Sequence, residues 1–392
     1  MNIAWIAPWD RPTDVGDYTR ILWPRIEEIL RQKDQRGIIL PIEKFPNPAD
    51  MVQRLLQIQP NIIHFQHDYN TWGGKELGAY TFPKVVRLIK RYLPKARLIA
   101  TAHEVLPPDY RIPLRGGMPE KMSRWVANRV CLGRMKKVWI QDTWQHMDRV
   151  IVHSRLQMGQ MYGSKVKKVE VIPHYVNGAR RLKSDPPVKA SVPHQVMDSL
   201  TRGGGFVILV FGAYAETRGQ DIALRAFAQI IKDDPEATAK VHMLFAGEMR
   251  GSRDFEYHRK ITGLAKGLGL GSRTTFITSV DRIRIEGLFA GASLVLAPFL
   301  ETRGAGALRY AFGRAKPILA SNLPFFLEIE QEVRGCMGFF AAGDVGGCAE
   351  ELLKLIRDSA SRDRLASAAL EYANSHRVDE VAQSYVLSYK GT

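Results

Sequence analysis

Residues 297 to 321 read APFLETRGAGALRYAFGRAKPILAS. The stretch parses as the end of an apolar strand, a turn, a short helix and a second apolar strand. The turn carries one carboxylate, Glu301, followed by Gly304 and Gly306 at the expected helix start. Strand, tight turn, helix and parallel strand make the repeating unit of a doubly wound α/β sheet. Glycine lets a ligand approach the backbone, and amides around Arg303 to Gly306 would point at a group lying beyond the helix start. A carboxylate in that position can accept hydrogen bonds from hydroxyls, as sugar-binding acids do. The competing reading is an ordinary strand-to-helix turn in which Glu301 caps the helix.

The same unit recurs along the chain. NIAWIAP, GIILPI, NIIHFQ, ARLIATA, DRVIVHS and KVEVIPH are short runs rich in Ile and Val, as expected for parallel strands covered on both faces. Amphipathic stretches such as 16–33 and 84–92 separate them. The segment from Asn177 to Gly205 breaks the rhythm with prolines, glycines and scattered charge. The alternation then restarts with FVILVFG, KVHMLFAG, RTTFIT, ASLVLAP, KPILAS and CMGFF. The expected architecture is α/β, with two Rossmann-like doubly wound domains facing a central cleft. The first covers 1–178, a linker covers 179–204, and the second covers 205–375. A closing helix over 376–392, with Val378, Val381, Tyr385 and Tyr389 at helical spacing, is expected to pack on a domain.

Composition agrees with a globular chain: of 392 residues, 45% are hydrophobic and 24% charged. No apolar run reaches the ~18–20 residues of a membrane span, and the start lacks the features of a secretory signal, so a cytoplasmic protein is expected. Cys131, Cys336 and Cys348 are odd in number and far apart, which argues against a disulfide framework or a cysteine-based zinc site. The net charge of +16 is concentrated in residues 81–140, where fourteen Lys or Arg face three acids. Such a patch suits an anionic membrane, a phosphorylated substrate or nucleic acid, and no nucleic-acid motif accompanies it. Within it Met122, Trp125, Val126, Val130 and Trp139 share one helical face beside Arg124, Lys136 and Lys137. That face is either a membrane contact or part of the core.

Polar residues after strand ends are the candidate site. LVFGAYAETRGQ ends a strand at Gly212 and sets Arg218 before a helix, where a cation and a helix N-terminus suit a phosphate. Arg218 is either a diphosphate clamp or a solvated loop arginine. TAHEV places His103 and Glu104 after another strand, FQHDYN does so for His67 and Asp68, and PTDVGDYTR adds Gly16 and Asp17. Each is either part of the rim or a structural residue. HExxH, P-loop and GxSxG motifs are absent from the sequence, which weakens metalloprotease, nucleotide triphosphatase and serine hydrolase readings.

GDYTR, HFQHDY, TAHEVLPP, DRVIVHS, VIPHYV, FGAYAETRGQDIALRAF, AGASLVLAPF and ETRGAGALRYAFGRAKPILAS, in this order and spacing, resemble the retaining GT-B glycosyltransferases of family 4. The resemblance covers nearly the whole chain. It implies that Glu301, Thr302, Arg303, Gly304, Ala305 and Gly306 hold a donor sugar and its diphosphate, with Gly212, Tyr310 and Gly16 beside them. Arg218 takes the place of the family's usual lysine, and His103 matches a histidine next to the reacting centre. His103, Glu301 and Arg218 are thus the catalytic candidates, Asp17, His67, Asp68 and Glu104 fall on the acceptor side, and the closing helix 376–392 is expected to pack back on the first domain.

Two positions depart from the family. Tyr310 stands where a second glutamate usually grips the ribose, and Ala213 where an arginine is frequent, with Arg303 or Arg309 as substitute cations. The expected activity is transfer of a hexose from a UDP- or GDP-sugar, as co-substrate, to a hydroxyl acceptor, with retention and with neither metal nor cofactor. A lipid-linked or polysaccharide intermediate at the inner membrane face is one acceptor class. The alternative function is a catalytically silent GT-B scaffold or partner subunit.

Overall fold

The structure is a computed structural model that describes residues 1–10, 13–45, 47–73, 80–107, 110–111, 118–161, 164, 166–176, 192–249, 251–278, 282–302, 306 and 308–390. The chain divides into two compact units, Met1–His174 with Val378–Thr392, and Tyr175–Arg377.

All twelve apolar runs form strands. In the first unit β1 (Asn2–Ala7), β2 (Arg36–Pro41), β3 (Ile62–His67), β4 (Arg97–Ala102), β5 (Arg149–Val152) and β6 (Val169–Val171) pair in parallel in the order β2-β1-β3-β4-β5-β6. In the second, β7 (Phe206–Phe211), β8 (Val241–Ala246), β9 (Thr274–Ile277), β10 (Leu294–Ala297), β11 (Ile318–Ser321) and β12 (Gly338–Phe340) run in the order β12-β11-β10-β7-β8-β9. Helices alternate with most of the strands. Both orders reverse once, at β1/β3 and at β7/β10, and ligands of open α/β sheets bind beyond the strand ends at such points.

The pleat decides which side chains reach which face. In β3, Ile63 and Phe65 join a core cluster with Phe82, Val85 and Trp144. His64, with the opposite parity, lies under the closing helix Val378–Tyr389. That helix belongs to the first unit and buries Val381, Tyr385 and Tyr389. Its polar tips are satisfied. Trp5 Nε1–H donates to the Tyr389 hydroxyl at 2.9 Å, and that hydroxyl pairs with His64 Nδ1 at 2.7 Å. The Tyr385 hydroxyl pairs with Thr101 at 3.1 Å and Tyr18 at 3.0 Å. Buried hydroxyls held in this way avoid a desolvation cost of ~1–3 kcal/mol each.

Two boundaries differ from the sequence reading. Of the expected linker, 179–191 lies outside the described residues, but Val192–Thr201 is a helix of the second unit. It packs on the helix Arg282–Gly291 so tightly that a Cβ on Gly291 would lie 2.6 Å from Met197. Proline and glycine on either side of a short helix resemble a linker in composition, and only the packing separates the two. The second unit also runs on to Arg377. Cys336 and Cys348 are unbridged and buried, and burial raises the Cys348 thiol to about 12. The Cys131 side chain lies outside the described residues.

Candidate active site

At the β7/β10 switch point of the second unit, two loops interlock. The chain leaves β7 through Gly212, at φ 151°, and a 3₁₀ turn, Glu216–Arg218, leads through Gly219 into the helix Gln220–Asp233. Gly219 sits at φ 64°, and a Cβ there would lie 1.9 Å from the Pro298 carbonyl oxygen in the loop after β10. The N–H groups of Leu300 and Glu301 both donate to the Thr217 carbonyl, at 2.9 and 3.3 Å. Ser321 Oγ at the end of β11 donates to the Phe299 carbonyl at 2.5 Å. The loop after β10 is therefore fixed by its neighbours on both sides.

Arg218 lies over this junction. Its guanidinium stands 4.5 Å from the centre of the Phe299 ring, and its stem crosses Gly212, where an added Cβ would lie 3.8 Å from Arg218 Cδ. Arg218 is thus a half-buried cation over the carboxyl ends of β7 and β10. Glu301 is exposed, Thr302 half-buried and Gly306 exposed. Arg303, Gly304 and Ala305 lie outside the described residues.

Tyr310, at the position where the resemblance expects a ribose-binding glutamate, is half-buried. Its ring stacks on Phe289 at 5.6 Å, against the apolar cluster of the second unit. Arg309, the other substitute cation, is 8% exposed and places its guanidinium 5.2 Å from the Tyr310 ring and 5.9 Å from Tyr175. It is engaged between aromatic faces.

In the first unit His103 follows β4, and both ring nitrogens are engaged. Nε2 pairs with the Gln66 amide at 2.8 Å, and Nδ1 faces His153 Nε2 at 3.4 Å. His153 Nδ1–H donates to the Ile172 carbonyl at 3.0 Å. Tyr18 meets His103, His153 and His174 at ring distances of 4.9, 5.3 and 4.5 Å. Three histidines from the ends of β4, β5 and β6 thus surround one tyrosine. Sequence reasoning does not single out Gln66, Tyr18, His153 or His174, although His153 and His174 obey the same strand-end rule that picks out His103.

The remaining candidates divide. Gly16 is in the first turn of the helix Asp14–Arg31, donating to the Thr13 hydroxyl at 3.0 Å. Asp17 pairs with Arg20 in the same turn. Asp68 accepts from the Asn70 N–H at 2.8 Å and shapes the turn after β3. Glu104 is half-buried beside His103. His67 is a correction: it is fully buried, with Nε2 paired to Tyr80 at 2.7 Å and rings of Tyr69, Phe82 and Trp144 around it. The pleat turns it to the side of Phe65, away from His64 and from any rim. Among the described residues, no group of three or more His, Cys, Asp or Glu side chains is arranged to hold a metal ion.

Burial also sets the protonation of these imidazoles. Desolvation lowers His64 and His67 to about 3 and His153 to about 4, from an ordinary 6.5. Each stays neutral in the folded chain while the unfolded chain takes up a proton below 6.5. Stability is therefore complete above that value and falls as the pH drops toward 4, by up to about 1.4 kcal/mol per pH unit for each histidine. Urea midpoints measured across this window are expected to decline steeply, and a flat profile would contradict neutral burial.

Residues 205–358, inside the second unit, match the family described as Glycosyl transferases group 1. A D-inositol 3-phosphate glycosyltransferase of Nocardia farcinica is 22% identical over 355 residues, 89% of this chain and 71% of the relative. A protein of the same description from Kribbella flavida is 24% identical over 232 residues, 59% of this chain and 52% of the relative. Among solved structures, Anabaena Alr3699/HepE in complex with UDP-glucose has a TM-score of 0.70 at 16% identity, covering 100% of both chains. Sucrose-phosphate synthase from Thermosynechococcus elongatus has 0.68 at 16%, covering 99% and 98%. Two six-stranded parallel sheets with helices on their faces are the two Rossmann-like domains of the GT-B fold. The match to Glycosyl transferases group 1 lies within the second unit, and the chain as a whole has the GT-B fold.

Proposed function

We propose that the protein transfers a hexose from a UDP- or GDP-sugar to a hydroxyl acceptor with retention at the anomeric carbon. The observation that carries this is Arg218, held over Gly212 and Phe299 at the β7/β10 switch point. Bond breaking leaves negative charge on the departing diphosphate, so a preorganised cation there lowers the barrier without having to reorganise during the reaction. Arg218 plays the part a divalent ion can play elsewhere, and turnover is expected to survive EDTA. Glu301, Thr302 and Gly306 are assigned to the donor sugar and its diphosphate, and Arg303, Gly304 and Ala305 join them on the resemblance of the sequence. His103, oriented by Gln66 and His153, is the catalytic candidate that the first unit contributes. The acceptor approaches on the face that the diphosphate leaves, because no carboxylate pair for double displacement is evident among the described residues.

The complexes of Alr3699/HepE with UDP and UDP-glucose support a UDP-linked hexose. We place the acceptor among lipid-linked or polysaccharide intermediates made at a membrane surface. The D-inositol 3-phosphate relatives favour a small phosphorylated polyol instead. Assays with both acceptor classes distinguish them. Tyr310 stacked on Phe289 favours a second reading, a catalytically silent scaffold.

Calorimetric titration with UDP, GDP, ADP and their sugar conjugates decides between enzyme and scaffold. Saturable binding of one nucleotide sugar, at least about tenfold weaker in Glu301→Ala, is expected; a hydrogen bond to a charged group is worth ~1.5–3 kcal/mol. Absence of binding to every donor, with and without acceptor, would leave the scaffold.

A further inference from the structure

We propose that the helical segment Met118–Asp142 is a docking face for an anionic phospholipid bilayer. It consists of α-helical turns at Met118–Val126 and Leu132–Lys136 alternating with π-helical turns at Ala127–Cys131 and Lys137–Asp142. One end is rooted in the first unit, where Trp139 is buried with Tyr69 and Leu106 and its carbonyl accepts from the Tyr69 hydroxyl at 3.0 Å. The other end presents Met118 at 74% exposure, Met122 at 57%, Trp125 at 46%, Val126 at 43% and Val130 at 74%. Of the fifteen exposed large apolar side chains among the described residues, five fall on these thirteen positions. Singly exposed apolar residues need no explanation, but a contiguous stripe marks an interaction site.

The spacing makes it a stripe. Steps of four from 118 to 122, 126 and 130 drift around an ideal α-helix, and the wider π turn after Val126 brings Val130 back into line. The core alternative for this face therefore holds for Trp139 and fails for the other four residues named from the sequence.

The charges around the stripe identify the occupant. Lys121, Arg124, Arg129, Arg134, Lys136 and Lys137 lie in the same segment, against Glu120 as the one acid before Asp142. The Arg129 guanidinium stands 4.9 Å from the Trp125 ring, so cation and indole share one level, as they do where headgroups meet acyl chains. Apolar insertion and about 1 kcal/mol per nearby basic residue on an anionic surface add together. A second copy of this basic face would be repelled, and a nucleic acid would leave the apolar stripe uncovered. No described helix is long and apolar enough to cross a membrane, so the contact is to the surface. The inference is independent of the donor site and stands whichever sugar is moved.

Flotation of the full chain with phosphatidylcholine vesicles, and with vesicles that also contain phosphatidylglycerol, tests it. Binding is expected only to the anionic vesicles, weakening with salt. The variant Met122→Ser/Trp125→Ser/Val130→Ser should bind at least about tenfold more weakly, since each exposed apolar side chain contributes ~1 kcal/mol or more on insertion. Its thermal unfolding should be unchanged, because these side chains are outside the core. Lys121→Glu/Arg129→Glu should abolish the preference for anionic lipid. Equal binding of wild type and the triple-serine variant would overturn the proposal, as would no binding to anionic vesicles by folded protein. A wild-type dimer that the triple-serine variant turns into a monomer would overturn it too, by assigning the face to a second copy.

Discussion

Arg218→Ala is expected to lower kcat by about 10²–10³-fold, the effect of removing one preorganised group that stabilises charge in a transition state. The side chain spans Gly212 and Phe299, so its cation is placed before the donor arrives and repositioning costs little. Arg218→Lys should recover part of the loss, since a lysine retains charge but cannot lie flat on the Phe299 ring. Thermal unfolding of the alanine variant should stay close to wild type, because the guanidinium is half-buried in a loop and not in either core. Steady-state kinetics with the donor found by titration make the measurement. A kcat near the wild-type value would remove Arg218 from the mechanism and leave the interlocked loops as mere packing.

Gly219→Ala should damage the same site through the backbone. At φ 64° an alanine carries a strain of ~1–2 kcal/mol. Its Cβ would also stand 1.9 Å from the Pro298 oxygen, which forces the loop before Glu301 to move. The combined cost is expected to reach about 3 kcal/mol or more, with donor affinity lost alongside stability. Gly269→Ala is the control. Its φ is 74° with no atom within 4 Å of the added Cβ, so only the backbone strain should appear in urea unfolding. Equal losses at the two glycines would mean that the loops after β7 and β10 are not coupled.

The strand-end rule works where the pleat cooperates. His103 emerges beside His153 and His174 because β4, β5 and β6 end level with one another around Tyr18. His67 satisfies the same rule in sequence but is turned into the aromatic cluster of Tyr80, Phe82 and Trp144. A shift of one residue along a strand moves a side chain to the opposite face, and nothing local in FQHDYN marks which parity lies at the rim. Thr13 caps the helix Asp14–Arg31, so Gly16, the start of the amphipathic stretch in the sequence, lies two residues inside it.

Local patterns in the sequence were enough to determine the strands, their division into two α/β halves and the presence of strand-end loops bearing Arg218, Glu301 and His103. Buried parallel strands must be short runs of branched apolar residues, and that constraint acts within a few positions of each residue. Tertiary structure alone decided the sheet orders, the interlock of Gly219 with Pro298, the stacking of Arg218 on Phe299 and the loss of Tyr310 to Phe289. It also separated Trp125, exposed, from Trp139, buried, although both belong to one amphipathic segment. Each of these depends on which distant residue arrives at a given face. That is a property of the packed chain, set by contacts between residues tens of positions apart.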